Sequence, residues 1–149
     1  MSKDRLYIFD TTLRDGAQTQ GVHFSIDEKT KIAHALDDLG VDYIEGGWPG
    51  ANPSDTEFFQ KGLDLKNSTF TAFGTTKKAG RSAENDPGLS AILNSNTKSV
   101  CLVGKSWDFH VDVALGISKK ENLENINELQ RHALPCPALA LYCLSLIHI

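Results

Sequence analysis

Four times along this chain an apolar, β-prone run gives way to a stretch patterned as a helix, in steps of about 30 residues. The runs are Leu6–Phe9, Val41–Gly47, Ser68–Phe73 and Lys98–Gly104. The first is unbroken apolar sequence of the kind buried on both faces of a parallel sheet. The helical stretches are equally well marked. Ser25-Ile26-Asp27-Glu28 is a capping box, and Ile32, Leu36 and Leu39 follow at helical spacing up to Gly40, a C-terminal glycine. Asn52-Pro53 opens a second helix, with Phe58, Phe59 and Leu63 on one face. A third lies around Asp86–Leu93, and a second capping box at Ser118–Glu121 precedes Leu123, Ile126 and Leu129.

Strands alternating with helices imply parallel pairing and right-handed crossovers. A (β/α)8 barrel and an open doubly wound sheet both fit, but the first turn lacks the G-x-G-x-x-G of a dinucleotide fold. A complete barrel takes about 250 residues. The predicted fold class is therefore α/β, the N-terminal half of a (β/α)8 TIM barrel with about four βα units and parallel strands. Residues 1–130 are assigned to the N-terminal part of a catalytic barrel domain. From Arg131 onward helical periodicity and nearly all charge are lost, two of the three cysteines appear, and Pro135 and Pro137 interrupt the apolar run. A buried fifth strand is one reading of that stretch. The favoured one is that 131–149 is a truncated or non-native tail.

A net charge of −4 argues against a nucleic-acid or anionic-membrane partner. The three cysteines have no metal-ligand or C-x-x-C spacing and suit a reducing compartment. No apolar segment follows Met-Ser-Lys-Asp-Arg as in a signal peptide, and the longest apolar stretch falls short of the roughly 20 residues that span a bilayer. The expected location is the cytoplasm.

In a barrel of this kind the strand C-termini form the active face. Here they end in Arg14, Asp15 and Gln18; in Glu45; in Thr75 and Thr76; and in Lys105 and Ser106. Asp15 is suited to holding a divalent cation through oxygen, and Arg14 to stabilising an oxyanion. A plain surface Arg–Asp pair is the alternative. Glu45 can orient a substrate, reach a metal through water, or simply pair with Arg14. Lys77, Lys78 and Arg81 can meet an acidic cosubstrate or form a solvated loop. Lys105 as a Schiff-base nucleophile would leave the Arg-Asp-Gly turn without a task. Among the histidines, His34 reads as an exposed helix residue and His110 as a candidate for facing the site; neither they nor His23 show paired spacing.

Two runs carry a resemblance: Thr11-Thr12-Leu13-Arg14-Asp15-Gly16-Ala17-Gln18, and Tyr43-Ile44-Glu45-Gly46-Gly47-Trp48-Pro49-Gly50 about 30 residues later. Together they resemble the metal-dependent acyl-CoA condensing and lyase barrels. That group includes 2-isopropylmalate, homocitrate and citramalate synthases and hydroxymethylglutaryl-CoA lyase. Ala17, the run Gly46-Gly47-Trp48-Pro49-Gly50-Ala51-Asn52-Pro53, Phe73–Lys78 and Val103–Val111 are similar to the citramalate branch, and the likeness covers residues 5 to about 129. It implies condensation of acetyl-CoA with pyruvate to (R)-citramalate, on the route to isoleucine, with a divalent cation (Mg, Mn or Zn) as cofactor and acetyl-CoA as cosubstrate. Carried over, Asp15 is a metal ligand, Arg14 and Glu45 are catalytic, and Gln18, Thr75, Lys105 and Ser106 bind substrate. The small-molecule partners are a keto acid and acetyl-CoA, and the full-length parent is expected to be a homodimer.

The family's His-x-His metal pair is absent from this sequence. The 149-residue chain by itself is therefore expected to be inactive. Isopropylmalate or homocitrate synthase is the nearest alternative, and a non-catalytic half-barrel that binds or assembles is the alternative from another class.

Overall fold

In the computed structural model, which describes residues 5–133 and 139–145, one sheet holds all five strands in chain order. They are β1 (Phe9–Asp10), β2 (Tyr43–Gly47), β3 (Thr69–Thr75), β4 (Ser99–Lys105) and β5 (Leu139–Ser145), each parallel to the next. Between them run α1 (Ile26–Leu39), α2 (Pro53–Lys61), α3 (Pro87–Leu93), the short α4 (Asp108–His110) and α5 (Lys119–Ala133). A single π-helical turn, Val111–Leu115, follows α4. No helix among the described residues is long and apolar enough to cross a membrane.

The helices begin and end where side chains satisfy their orphan amides. Ser25 Oγ accepts from the Glu28 amide at 3.3 Å while Glu28 returns a carboxylate to the Ser25 N–H at 2.8 Å, and α1 stops at Gly40 in the left-handed region (φ 85°). Asn52 caps α2 through the Asp55 amide, and Asp86 caps α3 through that of Leu89. Ser118 Oγ accepts from the Glu121 amide at the head of α5.

Side chains alternate across the strands. Ala72, Val100 and Leu102 face the helix layer and pack with Phe59, Leu89, Ile92 and Leu129. Ile44 joins Leu13, Ala33, Val41 and Phe58 in a second cluster beneath α1 and α2. Glu45, Thr71, Phe73, Ser99 and Cys101 lie on the opposite face, all buried.

Two elements differ from expectation. Leu6, Tyr7 and Ile8 are exposed by 84%, 57% and 53%, and only Phe9–Asp10 forms strand. The cause is position: β1 pairs with β2 alone, so among the described residues nothing covers its other side. Secondly, Leu139–Ser145 pairs with β4 in seven-residue register from Ser99↔Leu139 to Lys105↔Ser145, the strand reading of that stretch. An apolar run presented to an open parallel edge has a complete set of backbone partners waiting for it.

Asp37, buried near the end of α1, ties α1 to the loop ahead of β3. Its carboxylate accepts the amides of Lys66, Asn67 and Ser68 at 2.7–2.8 Å. Burial raises its pKa, but the backbone donors outweigh it and hold the group at about 2. A depressed pKa contributes stability above the unfolded value and loses it as pH falls through the folded one. The urea midpoint of the unaltered chain, compared with Asp37→Asn, should therefore fall more steeply between the ordinary value of 3.8 and about 2. Parallel curves for the two across that window would refute the role given to these amides.

Candidate active site

The turn after β1 is drawn tight before it carries any chemistry. The amides of Arg14, Asp15 and Gly16 all point at the Thr11 carbonyl, at 3.1, 2.8 and 3.2 Å. Asp10 accepts from both the amide and the hydroxyl of Thr12. Leu13 is fully buried and pins the turn to the core, which turns Arg14, its neighbour, over the strand ends.

Arg14 is the hub. Its Nε donates to Glu45 Oε2 at 2.7 Å and its Nη1 to Asp15 Oδ1 at 2.9 Å. The guanidinium carbon lies 4.1 Å from the centroid of the Phe73 ring, a cation–π contact. Phe73 is met edge-on by Trp48, with ring centroids 5.3 Å apart. Arg14 is thus held from β2, from β3 and from its own turn.

Glu45 is fully buried, and its Oε1 has no hydrogen-bond partner. Burial pushes its pKa up, more strongly than the Arg14 hydrogen bond and charge and the nearby Cys101 thiol pull it down; the Asp15 charge adds to the rise. Glu45 and Arg14 are therefore interdependent: the cation keeps a costly buried carboxylate in place, and the carboxylate aims the cation. A fixed guanidinium at the rim of a strand-end site is suited to holding an anion or a developing oxyanion.

Gln18 is exposed in the 3-10 turn Gly16–Gln18 and lines a cleft of about 440 Å³ together with Arg14, His23, Trp48 and Asn52. Asp15 projects toward solvent with 63% of its side chain exposed. Thr75 and Lys105 line a second cavity of about 300 Å³ with Thr76, Val103 and Asn125, so they stand apart from Gln18. Ser106 lies exposed just past β4. The structure brings Arg14, Asp15 and Glu45 into one constellation, adds Gln18 through the cleft, and puts Thr75 and Lys105 in a separate cavity.

The remaining candidates have other occupations. Lys77 is nearly buried, donating to the Arg81 carbonyl at 2.6 Å and pairing with Glu128 at 3.1 Å, so this lysine of the cationic cluster braces α5. His110 packs against Trp107 and Phe109, and His34 is exposed on α1. Among the described residues no group of three or more His, Cys, Asp or Glu side chains is placed to hold a metal ion. Asp15 offers one carboxylate, with Oδ1 already on Arg14, whereas hard divalent cations take about six oxygen ligands. The donors present do not make up such a centre.

Sequence reasoning missed Lys29 and Asp55, a buried ion pair in the wall of the same cleft. The signal was available. Lys29 occupies the apolar stripe of α1 with Ala33 and Leu36, where a cation needs a buried partner.

Parallel βα units with a cluster of ionisable side chains at the strand C-termini define the class: part of a β/α barrel, the fold that carries active sites at that end. The chain belongs to the HMGL-like family, whose model matches residues 5–134. It is 48% identical over 127 residues to the (R)-citramalate synthase of Aquifex aeolicus, covering 84% of this chain and 24% of that protein. A 2-isopropylmalate synthase of Microcystis aeruginosa is 58% identical over 60 residues, 40% of this chain and 11% of that one. Among solved structures, hydroxymethylglutaryl-CoA lyase from Pseudomonas aeruginosa superposes with a TM-score of 0.71 at 20% identity, over 93% of this chain and 45% of the lyase. The chain spans about a quarter of the length of the citramalate synthases it matches.

Proposed function

We propose that this chain is the N-terminal part of an acyltransferase that condenses acetyl-CoA with pyruvate to give (R)-citramalate. The observation that carries the chemistry is the Arg14 guanidinium fixed between buried Glu45, exposed Asp15 and the Phe73 ring. The choice of keto acid rests on similarity: the likeness to citramalate synthase runs through 84% of the chain. The 60-residue stretch shared with a 2-isopropylmalate synthase favours that activity as the second reading.

On this reading a methyl proton of acetyl-CoA passes to a base that this segment does not supply; the carbanion left behind attacks the keto carbon, whose oxygen takes the electron pair and then a proton. Water afterwards cleaves the thioester and releases CoA. Arg14 holds the oxyanion charge, Glu45 aims Arg14, and Gln18 contacts the keto acid in the cleft. Thr75, Lys105 and Ser106 contact the remainder of the substrates. Asp15 is this chain's contribution to a divalent cation, which needs further ligands, and none of these steps passes through it. A homodimeric parent in the cytoplasm belongs to the same proposal, as does a truncated or non-native origin for 131–149, of which Leu139–Ser145 adds to the edge of β4; a family match ending at residue 134 supports it.

The test is release of free CoA thiol by the whole protein carrying this segment, with pyruvate, 2-ketoisovalerate and 2-oxoglutarate in turn. Pyruvate should be preferred, and the 149-residue chain alone should give no signal above background. Preference for 2-ketoisovalerate would move the assignment to the second reading. Thiol release with none of the three would remove it.

A further inference from the structure

Lys29 is a cation on the buried face of α1, one turn ahead of Ala33, with 5% of its side chain exposed. Its Nζ donates to the Gly46 carbonyl at 3.0 Å and to Asp55 Oδ1 at 2.6 Å, and lies 5.4 Å from the centroid of the Phe58 ring. Asp55, in the first turn of α2, uses its other oxygen on the Trp48 amide at 2.9 Å and the Asn52 side-chain amide at 3.1 Å. The polar atoms of this pair are thus directed at each other and at the chain segment leaving β2.

That segment is shaped to receive them. The ladder between β2 and β3 shifts register between Glu45 and Gly47. Gly47 has φ +150°, and a Cβ there would lie 2.7 Å from the Asp55 carboxyl carbon. Only glycine lets the carboxylate come this close. A bulge re-aims the residues beside it, and here those residues are Glu45 and Trp48. Trp48 supports Phe73, and Phe73 carries the Arg14 guanidinium.

We infer that Lys29 and Asp55 are positioning residues: a buried ion pair that clamps the exit of β2 and so fixes the Trp48–Phe73 platform beneath Arg14. A pair present for stability alone is replaceable by apolar residues of similar volume. A clamp is not, because Trp48 would lose the acceptor that orients its amide. The clamp itself stands on contacts within this chain; its effect on rate rests on the condensing activity proposed above.

Hydrogen exchange tests the clamp in the unaltered chain. The Trp48 amide should exchange at least about tenfold more slowly than an unprotected amide, since its acceptor is a partly buried carboxylate 2.9 Å away. Exchange at the unprotected rate would overturn the inference whether or not any variant folds. In a Trp107→Phe background, Asp55→Asn or Lys29→Met should raise acrylamide quenching of Trp48. Lys61→Met, which breaks only the exposed bridge to Asp27, should leave it unchanged. In the whole protein, Asp55→Asn should lower kcat per folded molecule by about tenfold to a hundredfold, with KM for the keto acid little changed. Lys29→Met should do the same, and Lys29→Arg should recover most of kcat. Lost Trp48 protection with unaltered kcat would show that the pair fastens the turn without positioning Arg14. A wild type with no condensing activity would defeat the proposed reaction, while exchange and quenching would still decide the clamp.

Discussion

Replacing Arg14 with glutamine is expected to destabilise the fold by about 3–5 kcal/mol at neutral pH, because it leaves a buried charge without its partner. The partner is Glu45, fully buried, whose second oxygen already lacks a hydrogen bond. The loss should shrink on acidification. Burial raises the folded-state pKa of Glu45 above its ordinary value of 4.5, and Arg14 is the main influence pulling it back. A group whose folded pKa is raised contributes stability below the unfolded pKa and loses it as pH climbs through the folded one. Without Arg14 that upper limit moves higher, so Arg14→Gln should be closer to wild type near pH 5 than near pH 8. Urea midpoints across this range measure it, with the Arg14→Gln/Glu45→Gln double variant as reference. A gap between Arg14→Gln and wild type that stays constant with pH would disprove the coupling. In the whole protein the same change should cost about a hundredfold to a thousandfold in kcat if Arg14 holds the oxyanion.

Phe58→Ala should cost a similar amount of stability, about 3–5 kcal/mol, for a reason unrelated to charge. Phe58 is fully buried between α2 and the sheet, 5.5 Å edge-on from Phe70 and 6.1 Å from Phe59. Its removal opens a cavity that the stacked Phe59–Phe70 pair, 4.7 Å apart, can only partly fill. The Arg14–Glu45 contact does not involve Phe58, so the pH dependence of the midpoint should match that of wild type while the midpoint itself drops. A loss under 1 kcal/mol would mean that the site collapses onto the gap.

What the sequence disclosed depended on how local the cause was. The capping box at Ser25 and Glu28, the left-handed Gly40 and Pro53 at the head of α2 are written within a few residues and appear where expected. Parallel strands followed from the strand–helix alternation, and pairing with Arg14 was one of the roles open to Glu45. Effects that need a third dimension were not readable. Leu6–Ile8 look like interior strand, yet their burial depends on what lies beside β1. The separation of Gln18 from Thr75 and Lys105 into different cavities depends on side-chain reach, which spacing does not encode. Lys29 and Asp55 were overlooked because a lysine on a helix is ordinarily surface, and only its place in the apolar stripe marks it otherwise.

Every strand in the sheet pairs only with strands adjacent to it in the chain. Arg14 and Glu45 are 31 residues apart, and Lys29 and Asp55 are 26 apart. At about 5–20 residues per second of translation, the second member of the Arg14–Glu45 pair follows the first out of the ribosome within roughly two to six seconds. Each buried charge thus meets its counterpart early in synthesis, one βα unit after another. A charge that folding will bury therefore stays in water only until the next βα unit is complete, and no pairing in the sheet has to wait for a distant stretch of chain.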